Sequence, residues 1–380
     1  MPNPSGVRFI VIGNPENRRV GLFQAALAAQ GQPAAEVVSW LDVARHFEKL
    51  EALSPEPAVV RIDSAGEDFE VDRELLKAGH EDALQSGATT IEPAKIDALT
   101  YDRGLILCPR QQHFGFLKML GRLEALFARR PAWKVLSPPK CIATLFDKRE
   151  TSRLYQSLGV PVPPRLEPVA SLEDLNQRMD EADCRSAFIK MSASSSASCL
   201  AIYLRRPRGD FLMTTIEATR TGWYNSLKVR RIDHPRLLSE VVGFLLREGS
   251  QIEEEVPKAR LDGAFFDCRV VVVAGEPAFL VVRQNKHPIT NLHLLGWRGE
   301  RASLDRDVPP ELFAAAMQSC KTVWKAHGCL HVGVDVMFEH GYTGHRVIEA
   351  NAFGDLLPNL TRDGLSVYEW EIREVLKAQG

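Results

Sequence analysis

Two apolar segments near the C-terminal end carry the sequence feature that most restricts the fold. Segment 332–338, Val-Gly-Val-Asp-Val-Met-Phe, places the single carboxylate of Asp335 inside an apolar strand, and segment 347–351, Val-Ile-Glu-Ala-Asn, returns after a turn. Glu349 and Asn351 are two residues apart and share one face, and an antiparallel partner strand can bring Asp335 beside them. Carboxylates buried among Val, Ile and Met require a compensating cation, and three oxygen ligands on a rigid hairpin suit Mg²⁺ held together with nucleotide phosphates. The alternative interpretation is a hairpin whose acids are solvated or paired with Lys or Arg.

The preceding predicted hairpin, 265–284, supplies positive charge. Arg269 and Arg283 stand on strands with apolar neighbours, and an Arg in such a position requires an anionic partner such as a phosphate or a carboxylate. A simple ion pair with Asp267 is the alternative. The polar segment 284–293 that follows either holds substrate or a second metal ligand, or is a surface loop.

Two lysines and an acidic segment supply further candidates. Lys190 ends a short strand before a run of small residues at 191–198, where its ammonium and the backbone N–H groups can grip phosphates together. A lone lysine is most often a solvated surface charge, so neither Lys190 nor Lys148 identifies a site by itself. The acidic segment 252–257 is either a solvated face or a place where one Glu and its adjacent backbone contact adenine and ribose.

The first part of the chain begins as an open α/β sheet. An apolar strand over 7–12, a turn and an amphipathic helix over 18–30 follow one another, with further strands expected at 35–40, 58–62 and 104–108. The turn lacks the second and third glycines of a dinucleotide fingerprint, which argues against NAD. Arg18 and Arg19 at the helix start either receive an anionic group or are a solvated helix terminus. The proline-rich stretch 131–139 predicts the first domain boundary.

Composition excludes several classes of protein. A length of 380 residues suits two or three packed units, and 47 Lys plus Arg against 49 Asp plus Glu leave no global field for nucleic acid or anionic lipid. The most apolar stretch, 270–282, is interrupted by a turn and is too short to span a bilayer, and no signal peptide is apparent. Seven scattered Cys without Cys-x-x-Cys predict reduced thiols and a cytoplasmic protein, with no disulfide framework or zinc site.

Taken in order, these segments resemble the ATP-grasp superfamily, particularly its RimK-type and glutathione-synthetase-like carboxylate–amine ligases. The similarity covers about 140–376 and comprises a first lysine helix, a second lysine, an adenine hinge, γ-phosphate residues and a metal hairpin. These are Phe146-Asp147-Lys148 through to Leu158-Gly159-Val160-Pro161-Val162-Pro163, Ile189-Lys190, 252–256, Asp267-x-Arg269, Arg283, Thr290-Asn291, Gly333-x-Asp335 and Glu349-x-Asn351. One departure is the phosphate flap, which is glycine-rich in the family and serine-rich here, at 192–198.

The resemblance implies an α/β fold of the α+β ATP-grasp kind, with an N-terminal open α/β domain over 1–135 and a two-subdomain ATP-grasp module. The lysine and flap subdomain would cover 136–225, and the C-terminal subdomain with the metal site would cover 226–380. The implied roles are catalysis by Arg269 and Arg283, ATP contacts by Lys148, Lys190, Ser194, Ser195, Ser196, Glu253, Glu254, Glu255, Val256 and Asn291, and metal binding by Asp335, Glu349 and Asn351.

The activity that the resemblance implies is ATP-dependent, ADP-forming C–N ligation through an acyl phosphate. Its cofactors would be ATP and Mg²⁺, with Mn²⁺ as an alternative ion, and its substrates a carboxylate and an amine, either an amino acid or a peptide. No nucleic acid or membrane is expected as a partner, and a homo-oligomer remains open. Two alternatives are a kinase of a hydroxyl substrate on the same fold and a nucleotide-binding module without chemistry.

Overall fold

The computed structural model describes residues 6–193, 199–353, 357 and 359–379. The predicted phosphate contacts Ser194, Ser195 and Ser196 lie outside these described residues. The described chain forms one parallel sheet, two larger sheets that are antiparallel, and a short two-stranded ribbon. None of its described helices is both long enough and apolar enough to cross a membrane.

The N-terminal unit is built on a four-stranded parallel sheet in the order β2-β1-β3-β4. Its strands are β1 (Phe9–Ile12), β2 (Glu36–Val38), β3 (Ala58–Ile62) and β4 (Trp133–Val135), and its helices are α1 (Arg18–Ala29), α2 (Trp40–Arg45), α3 (Glu48–Glu51), α4 (Phe69–Gln85), α5 (Pro93–Ile96) and α6 (Pro109–Ala128). Every residue of β1 and β3 is buried, as continuous apolar runs in a sheet covered on both faces should be. The predicted open α/β unit is therefore present.

The predicted strand at 104–108 is wrong. Leu105 forms only an isolated bridge with Tyr224, and Cys108 is the residue that precedes α6. Pro109 occupies the first turn of that helix, where its missing N–H costs no hydrogen bond. At the end of the segment, Cys108 packs in one apolar cluster with Leu76 on α4 and Ile96 on α5 instead of joining the parallel sheet.

Helices α4 and α6 approach each other unusually closely because two glycines face the contact. A Cβ atom on Gly79 would lie 1.9 Å from the carbonyl oxygen of Gln111, and one on Gly115 would lie 1.9 Å from that of Leu75. Larger residues at these positions would force the helices apart. The close contact packs the first turn of α6 against the middle of α4, and from there the Gln112 amide donates a hydrogen bond to Asp72.

The middle unit is a five-stranded antiparallel sheet in the order β8-β7-β6-β5-β9 with helices beside it. Its strands are β5 (Ser186–Met191), β6 (Leu200–Leu204), β7 (Phe211–Ala218), β8 (Trp223–Ile232) and β9 (Ser250–Glu254), and its helices are α7 (Pro139–Leu145), α8 (Lys148–Ser157), α9 (Leu172–Glu181) and α10 (Pro235–Arg247). The expected boundary at 225/226 falls inside β8, and the sheet continues to Glu254.

The chain forms two separate helices, α7 and α8, between Pro139 and Ser157. Asp147 separates them, and its side chain accepts hydrogen bonds from the backbone N–H groups of Arg149 and Glu150 as the N-cap of α8. Gly159, with φ of 72°, follows the end of α8, which is the position where a glycine terminates a helix at low cost. The break sets Lys148 at the first position of a new helix.

The C-terminal unit is a second sheet in the order β13-β12-β11-β14-β15, with β10 also paired to β11. Its strands are β10 (Arg260–Leu261), β11 (Ala264–Val273), β12 (Glu276–Asn285), β13 (Trp297–Arg298), β14 (His331–Phe338) and β15 (His345–Asn351), followed by the ribbon β16 (Thr361–Arg362) and β17 (Leu365–Ser366). Its helices are α11 (Arg301–Asp307), α12 (Pro310–His327) and α13 (Val367–Lys377). Both predicted hairpins, β11–β12 and β14–β15, are present.

The last helix returns the chain to the N-terminal unit. The guanidinium of Arg61 on β3 lies 4.9 Å from the ring centroids of both Phe23 and Tyr368, and it is ion-paired with Glu371 on α13. Arg61 and Glu371 are each 2% exposed, so this pair belongs to the core between the first and last parts of the chain. The N-terminal and C-terminal units therefore pack directly against one another.

Candidate active site

A cavity of about 970 Å³ lies among the three units and collects most of the predicted site residues. The predicted residues that line it are Lys148, Lys190, Glu253, Glu254, Val256, Arg269, Arg283, Asn291, Asp335, Glu349 and Asn351. Glu255, predicted to contact nucleotide, is not among the described residues that line the cavity. Side chains separated by up to 203 residues in sequence, from Lys148 to Asn351, thus face one space.

Strand register brings the three predicted metal ligands together. Asp335 on β14 lies directly opposite Glu349 on β15, and Asn351 lies opposite Gly333, two residues before Asp335. A bulge follows Asp335 in this ladder, and Ile348 is its extra residue on β15. The bulge interrupts the alternation of side chains between the two faces of β15 immediately beside Glu349. Asp335 and Glu349 therefore stand together at the end of the hairpin that borders the cavity.

The carboxamide of Asn351 joins Glu349 to the arginine on the next strand. Oriented to satisfy its neighbours, its nitrogen donates to Glu349 Oε1 at 2.9 Å and its oxygen accepts from Arg269 Nη2 at 3.2 Å. In the described parts of the chain, no three His, Cys, Asp or Glu side chains are grouped to hold a metal. A metal at this place would therefore use the carboxamide oxygen as its third protein ligand, and carboxylate and amide oxygens are donors that suit Mg²⁺.

Two buried arginines share Asp335. Arg269 Nη2 donates to Asp335 Oδ2 at 3.0 Å and its Nε donates to the other carboxylate oxygen, while Arg283 Nη2 lies 3.0 Å from Oδ2. Arg283 Nε also donates to Asp267 Oδ1 at 2.6 Å. Burial alone would lower the pKa of Arg283, but Asp267 and Asp335 raise it above its usual range. Both arginines are therefore held in place by acids.

Lys258 is a functional candidate that the sequence did not identify. Its Nζ donates to Thr290 Oγ1 at 2.8 Å and lies 3.3 Å from Asp267 Oδ2, and its side chain is buried beside the cavity. Burial lowers the pKa of Lys258, and Asp267 opposes that shift. Burial alone would raise the pKa of Asp267, but Arg283 and Lys258 hold it well below its usual range. A single lysine after Val256-Pro257 carries no signal that distinguishes it from a solvated one.

The lysine on β5 is engaged by the acidic segment of β9. Lys190 forms an ion pair with Glu253, which is 2% exposed and also accepts from Gln251 Nε2 at 3.2 Å. Both Glu253 and Glu254 line the cavity, but Glu253 is engaged by Lys190, which leaves Glu254 as the acid available to a ligand. Burial raises the pKa of Glu254.

Lys148 stands at the join between α8 and the end of β5. Its backbone N–H donates to the carbonyl oxygen of Ser192 at 3.3 Å, and its side chain is 9% exposed. Both predicted phosphate lysines thus lie at the base of the segment 192–198. His113 on α6 lines the same part of the cavity, and burial lowers its pKa to about 4.

The loop after β12 closes the cavity on another side. Asn291 caps the short 3₁₀ turn Leu292–Leu294 by accepting the N–H of His293 at 2.9 Å. Ile289 and Leu294 pack in one cluster with apolar residues of β6. The loop therefore bridges the C-terminal sheet to the five-stranded sheet across the cavity.

Comparisons with known proteins agree with this architecture. No protein-family model matches the sequence, and no curated protein matches it. Solved structures of similar fold include the ATP-grasp ligase PsnB complexed with a phosphomimetic variant of its minimal precursor, Mg and ADP, at TM-score 0.55 and 15% identity, covering 98% of this chain and 99% of that one. The D-cycloserine synthetase DcsG is similar at TM-score 0.56 and 13% identity, covering 97% and 99% of the two chains.

The macrocyclase MdnC, bound with precursor peptide MdnA from Microcystis aeruginosa MRC, is similar at TM-score 0.54 and 12% identity, covering 97% of this chain and 99% of that one. The predicted α/β ATP-grasp fold is therefore confirmed over nearly the whole chain, and this chain resembles ATP-grasp ligases in structure.

Proposed function

We propose that this protein is an ATP-dependent ligase that activates a carboxylate as an acyl phosphate and joins it to an amine. The observation that supports the proposal is the convergence on one cavity of Lys190, Arg269 and Arg283 with Asp335 and Glu349. Phosphoryl transfer depends mainly on positioning and on charge stabilisation around the transferring group. A cavity that brings fixed cations and oxygen ligands together in one place matches that requirement.

The nucleotide would lie between the two larger sheets. Lys148 and Lys190 would contact its phosphates at the base of segment 192–198, where the serine-rich flap, including Ser194 to Ser196, would cover them. Glu254 and the backbone at Val256 would contact the adenine side, whereas Glu255 is given no role, since it is not among the described residues that line the cavity. Asn291 would border the γ-phosphate from the bridging loop.

Asp335, Glu349 and Asn351 would hold Mg²⁺, with Mn²⁺ as an alternative ion of the same ligand preference. When bound, such an ion offsets the negative charge of the β- and γ-phosphates. Asp335 also contacts Arg269 and Arg283, so it would be shared between the ion and the two guanidinium groups. Asp335 would thus keep the metal ligands next to Arg269 and Arg283.

In the proposed reaction a substrate carboxylate oxygen attacks the γ-phosphorus, and the bond to the β–γ bridging oxygen breaks as ADP leaves. Arg269 and Arg283 stabilise the charge on the transferring phosphoryl oxygens. The amine then attacks the acyl carbon and inorganic phosphate departs, leaving an amide and a proton. We place this reaction in the cytoplasm, where ATP is available. All seven cysteines are free thiols, and a reducing compartment keeps thiols in that state.

An ADP-release screen over carboxylates and amines with Mg²⁺ tests the proposal. The screen should include amino acids and peptides, since PsnB and MdnC are seen with precursor peptides and DcsG is a D-cycloserine synthetase. Hydroxylamine distinguishes the chemistry, because only an acyl phosphate yields a hydroxamate, whereas a hydroxyl kinase yields none. Bound nucleotide without ADP formation across the whole screen would contradict the proposal and favour a non-catalytic module.

A further inference from the structure

Two cysteine side chains meet where the helix before α8 contacts the C-terminal sheet. Cys141 lies on α7, and Cys329 lies between α12 and β14. The Cys329 thiol donates a hydrogen bond to the Cys141 sulfur, and Cys141 packs against the apolar cluster that contains Cys329. The Cys329 sulfur also lies 3.6 Å from the carbonyl oxygen of His327. Two reduced thiols are therefore in direct contact at this junction.

The main chain holds the two cysteines beside each other. The backbone N–H of Leu330, the residue after Cys329, donates to the carbonyl oxygen of Leu136 at 2.6 Å. Pro138 is the N-cap of α7, and its carbonyl oxygen accepts the backbone N–H of Cys141 at 2.9 Å. Hydrogen bonds to one short segment after β4 thus position the backbone at both cysteines. The native fold therefore keeps the two thiols close together.

The two thiols differ in exposure and in acidity. Cys141 is partly exposed, whereas Cys329 is 2% exposed. The hydrogen bond from Cys329 lowers the pKa of Cys141 to about 7, against the opposing effect of burial. The hydrogen bond to Cys141 and burial both raise the pKa of Cys329 well above its usual range. A small electrophile in solvent therefore meets Cys141 as a thiolate, with the Cys329 thiol next to it.

The other cysteines do not combine exposure with a neighbouring thiol. Cys184 is also partly exposed, but in the part of the chain that the structure describes no cysteine donates a hydrogen bond to it, and burial raises its pKa. Cys268 and Cys320 lie near each other in the core, but each is 0% exposed. These residues supply internal comparisons, one for exposure without a partner thiol and one for a partner thiol without exposure.

We propose that Cys141 and Cys329 form a peroxide-sensitive thiol pair, which closes to a disulfide between α7 and the segment before β14. Cys141 is the residue that peroxide oxidises, and Cys329 is the thiol that resolves the oxidised form. Disulfides in a reducing compartment are usually transient and redox-sensing, so this bond would form on oxidation and open again with a thiol reductant. The inference goes beyond the proposed ligase function and requires neither ATP nor a substrate.

The chemistry needs hydrogen peroxide as the only co-reactant. The Cys141 thiolate attacks one peroxide oxygen, the O–O bond breaks, and Cys141 becomes a sulfenic acid while hydroxide leaves and is protonated to water. Cys329 then no longer donates to a thiolate, which removes the main cause of its raised pKa. Its sulfur loses a proton and attacks the Cys141 sulfur, the S–S bond forms, and a second water leaves. Two thiols are oxidised and one peroxide is reduced to two waters.

The disulfide would join elements that also carry residues of the candidate site. Helix α7 ends just before Asp147, which caps the helix that begins with Lys148. Strand β14, which begins two residues after Cys329, carries Asp335. Oxidation would therefore attach the helix that precedes one of the predicted phosphate lysines to the start of the strand that holds a predicted metal ligand.

Peptide mapping by mass spectrometry under non-reducing conditions tests the proposal on the full chain. Hydrogen peroxide is kept near the protein concentration so that sulfinic acid does not accumulate. The folded protein should yield a peptide pair joined through Cys141 and Cys329, which dithiothreitol separates. Its yield should exceed that of the urea-denatured chain by about tenfold, because the native contact raises the effective concentration of the resolving thiol. Equal yields in the two states, or a different predominant disulfide in the folded protein, would overturn the proposal.

Three variants test the separate roles of the two thiols. In Cys329→Ala the sulfenic acid should accumulate at Cys141 and be captured by dimedone, since no thiol resolves it. In Cys141→Ala the buried Cys329 should remain a free thiol. Cys184→Ala is the matched control, at the other partly exposed cysteine, and should leave the yield of the Cys141–Cys329 disulfide unchanged.

Two results with these variants would contradict the assignment of roles. One is oxidation of Cys329 in Cys141→Ala at the wild-type rate, and the other is loss of the disulfide in Cys184→Ala. Urea denaturation establishes that each variant is folded before it is oxidised. The peptide map of the wild-type protein uses no substitution, so it decides the proposal even if a variant does not fold.

Discussion

Arg269 on β11 holds Asp335 on β14 through both ends of its guanidinium fork, inside the cavity and on directly opposed positions of the two strands. A fork contact of this kind fixes the carboxylate in one plane. The next position across the sheet is Glu349, so an arginine and two acids form one row across three strands. Asp335, which is predicted to bind a cation, is therefore held in its orientation by Arg269. Replacing Glu349 should disturb the fold less than replacing Asp335.

The first prediction concerns Glu349→Gln. This change removes one charge from the proposed metal set, and loss of one such electrostatic group should lower the rate of ADP release by about 10²–10³. The unfolding free energy should change by less than about 1 kcal/mol, since the side chain is only half-buried and the glutamine can still contact Asn351. Steady-state ADP release and urea denaturation measure the two quantities.

The matched control for that variant is Glu339→Gln. Glu339 lies at the far end of the same hairpin, paired with Arg346 at 2.7 Å and outside the described lining of the cavity. Its replacement should leave ADP release near the wild-type rate. If Glu349→Gln also turned over normally, Glu349 would have no role as a ligand.

The second prediction concerns Lys258→Met. Methionine keeps the aliphatic volume but removes the donor to Thr290 and the partner of Asp267, so two buried acceptors lose a contact. The unfolding free energy should fall by about 1–3 kcal/mol. Urea denaturation measures this fall, and the exposed Lys228→Met on β8 is the control. An equal loss in both variants would show that the buried network contributes nothing specific.

The third prediction is a pH dependence that originates at Asp72. Its pKa in the folded protein is about 6 against an ordinary value of 3.8, so the folded state binds more protons than the unfolded state between these values. The contribution of Asp72 to stability is therefore greatest below about pH 4, falls as pH rises through this window, and is unfavourable above about pH 6. Asp72→Asn should consequently be more stable than wild type by about 1–2 kcal/mol at about pH 8, an estimate reduced for partial solvent screening.

That gain should disappear at about pH 4, where Asp72 is protonated in the folded state. His113 acts in the opposite direction, since its pKa of about 4 means that stability is lost as pH falls from its ordinary 6.5. Both proteins retain His113, so its effect cancels when wild type and Asp72→Asn are compared by urea denaturation across pH. A stability difference that did not vary with pH would contradict the prediction.

The fourth prediction identifies the most reactive thiol. A hydrogen bond from Cys329 lowers the pKa of Cys141 to about 7, against the opposing effect of burial, and Cys141 is partly exposed on α7. Because the thiolate is the nucleophile, iodoacetamide near neutral pH should modify Cys141 first. Peptide mass spectrometry measures the order of modification.

Cys184 provides the internal comparison, since it is exposed to a similar degree but burial raises its pKa. Cys329→Ala should slow the modification of Cys141 near neutral pH by removing the hydrogen bond, by about fivefold if its pKa rises by one unit. Modification of Cys184 ahead of Cys141 would contradict the assignment.

The parts of the fold that could be predicted best are those that depend on neighbouring residues in the sequence. The hairpins β11–β12 and β14–β15 were expected because alternation over a few residues and a short turn determine such pairing. The register of these hairpins then placed Asp335 opposite Glu349 without any long-range information. The strand expected at 104–108 failed for the opposite reason, since its apolar residues pack against segments distant in sequence and it meets β8 only at one isolated bridge, between Leu105 and Tyr224.

The sequence predicted the charged residues on the strands of the candidate site but not the buried residues that surround them. Arg269, Arg283 and Lys190 stand out in sequence because a charge inside an apolar strand is unusual. Lys258 and His113 do not stand out, because their burial depends on segments far away in sequence. Glu253 was expected to contact nucleotide, and only the pairing of β5 with β9 places it against Lys190.

The sequence by itself determined the two C-terminal hairpins, with the acidic residues on one and the arginines on the other, since period-two alternation and turn residues act over a few positions. The tertiary structure alone decided which charges meet. Asp72 reaches Gln112 across 40 residues and Arg19 reaches Phe353 across 334, and such contacts arise only when helix packing and sheet order bring the segments together. The environment of a charged group is a property of the packed structure, because burial and partner distance determine its energy.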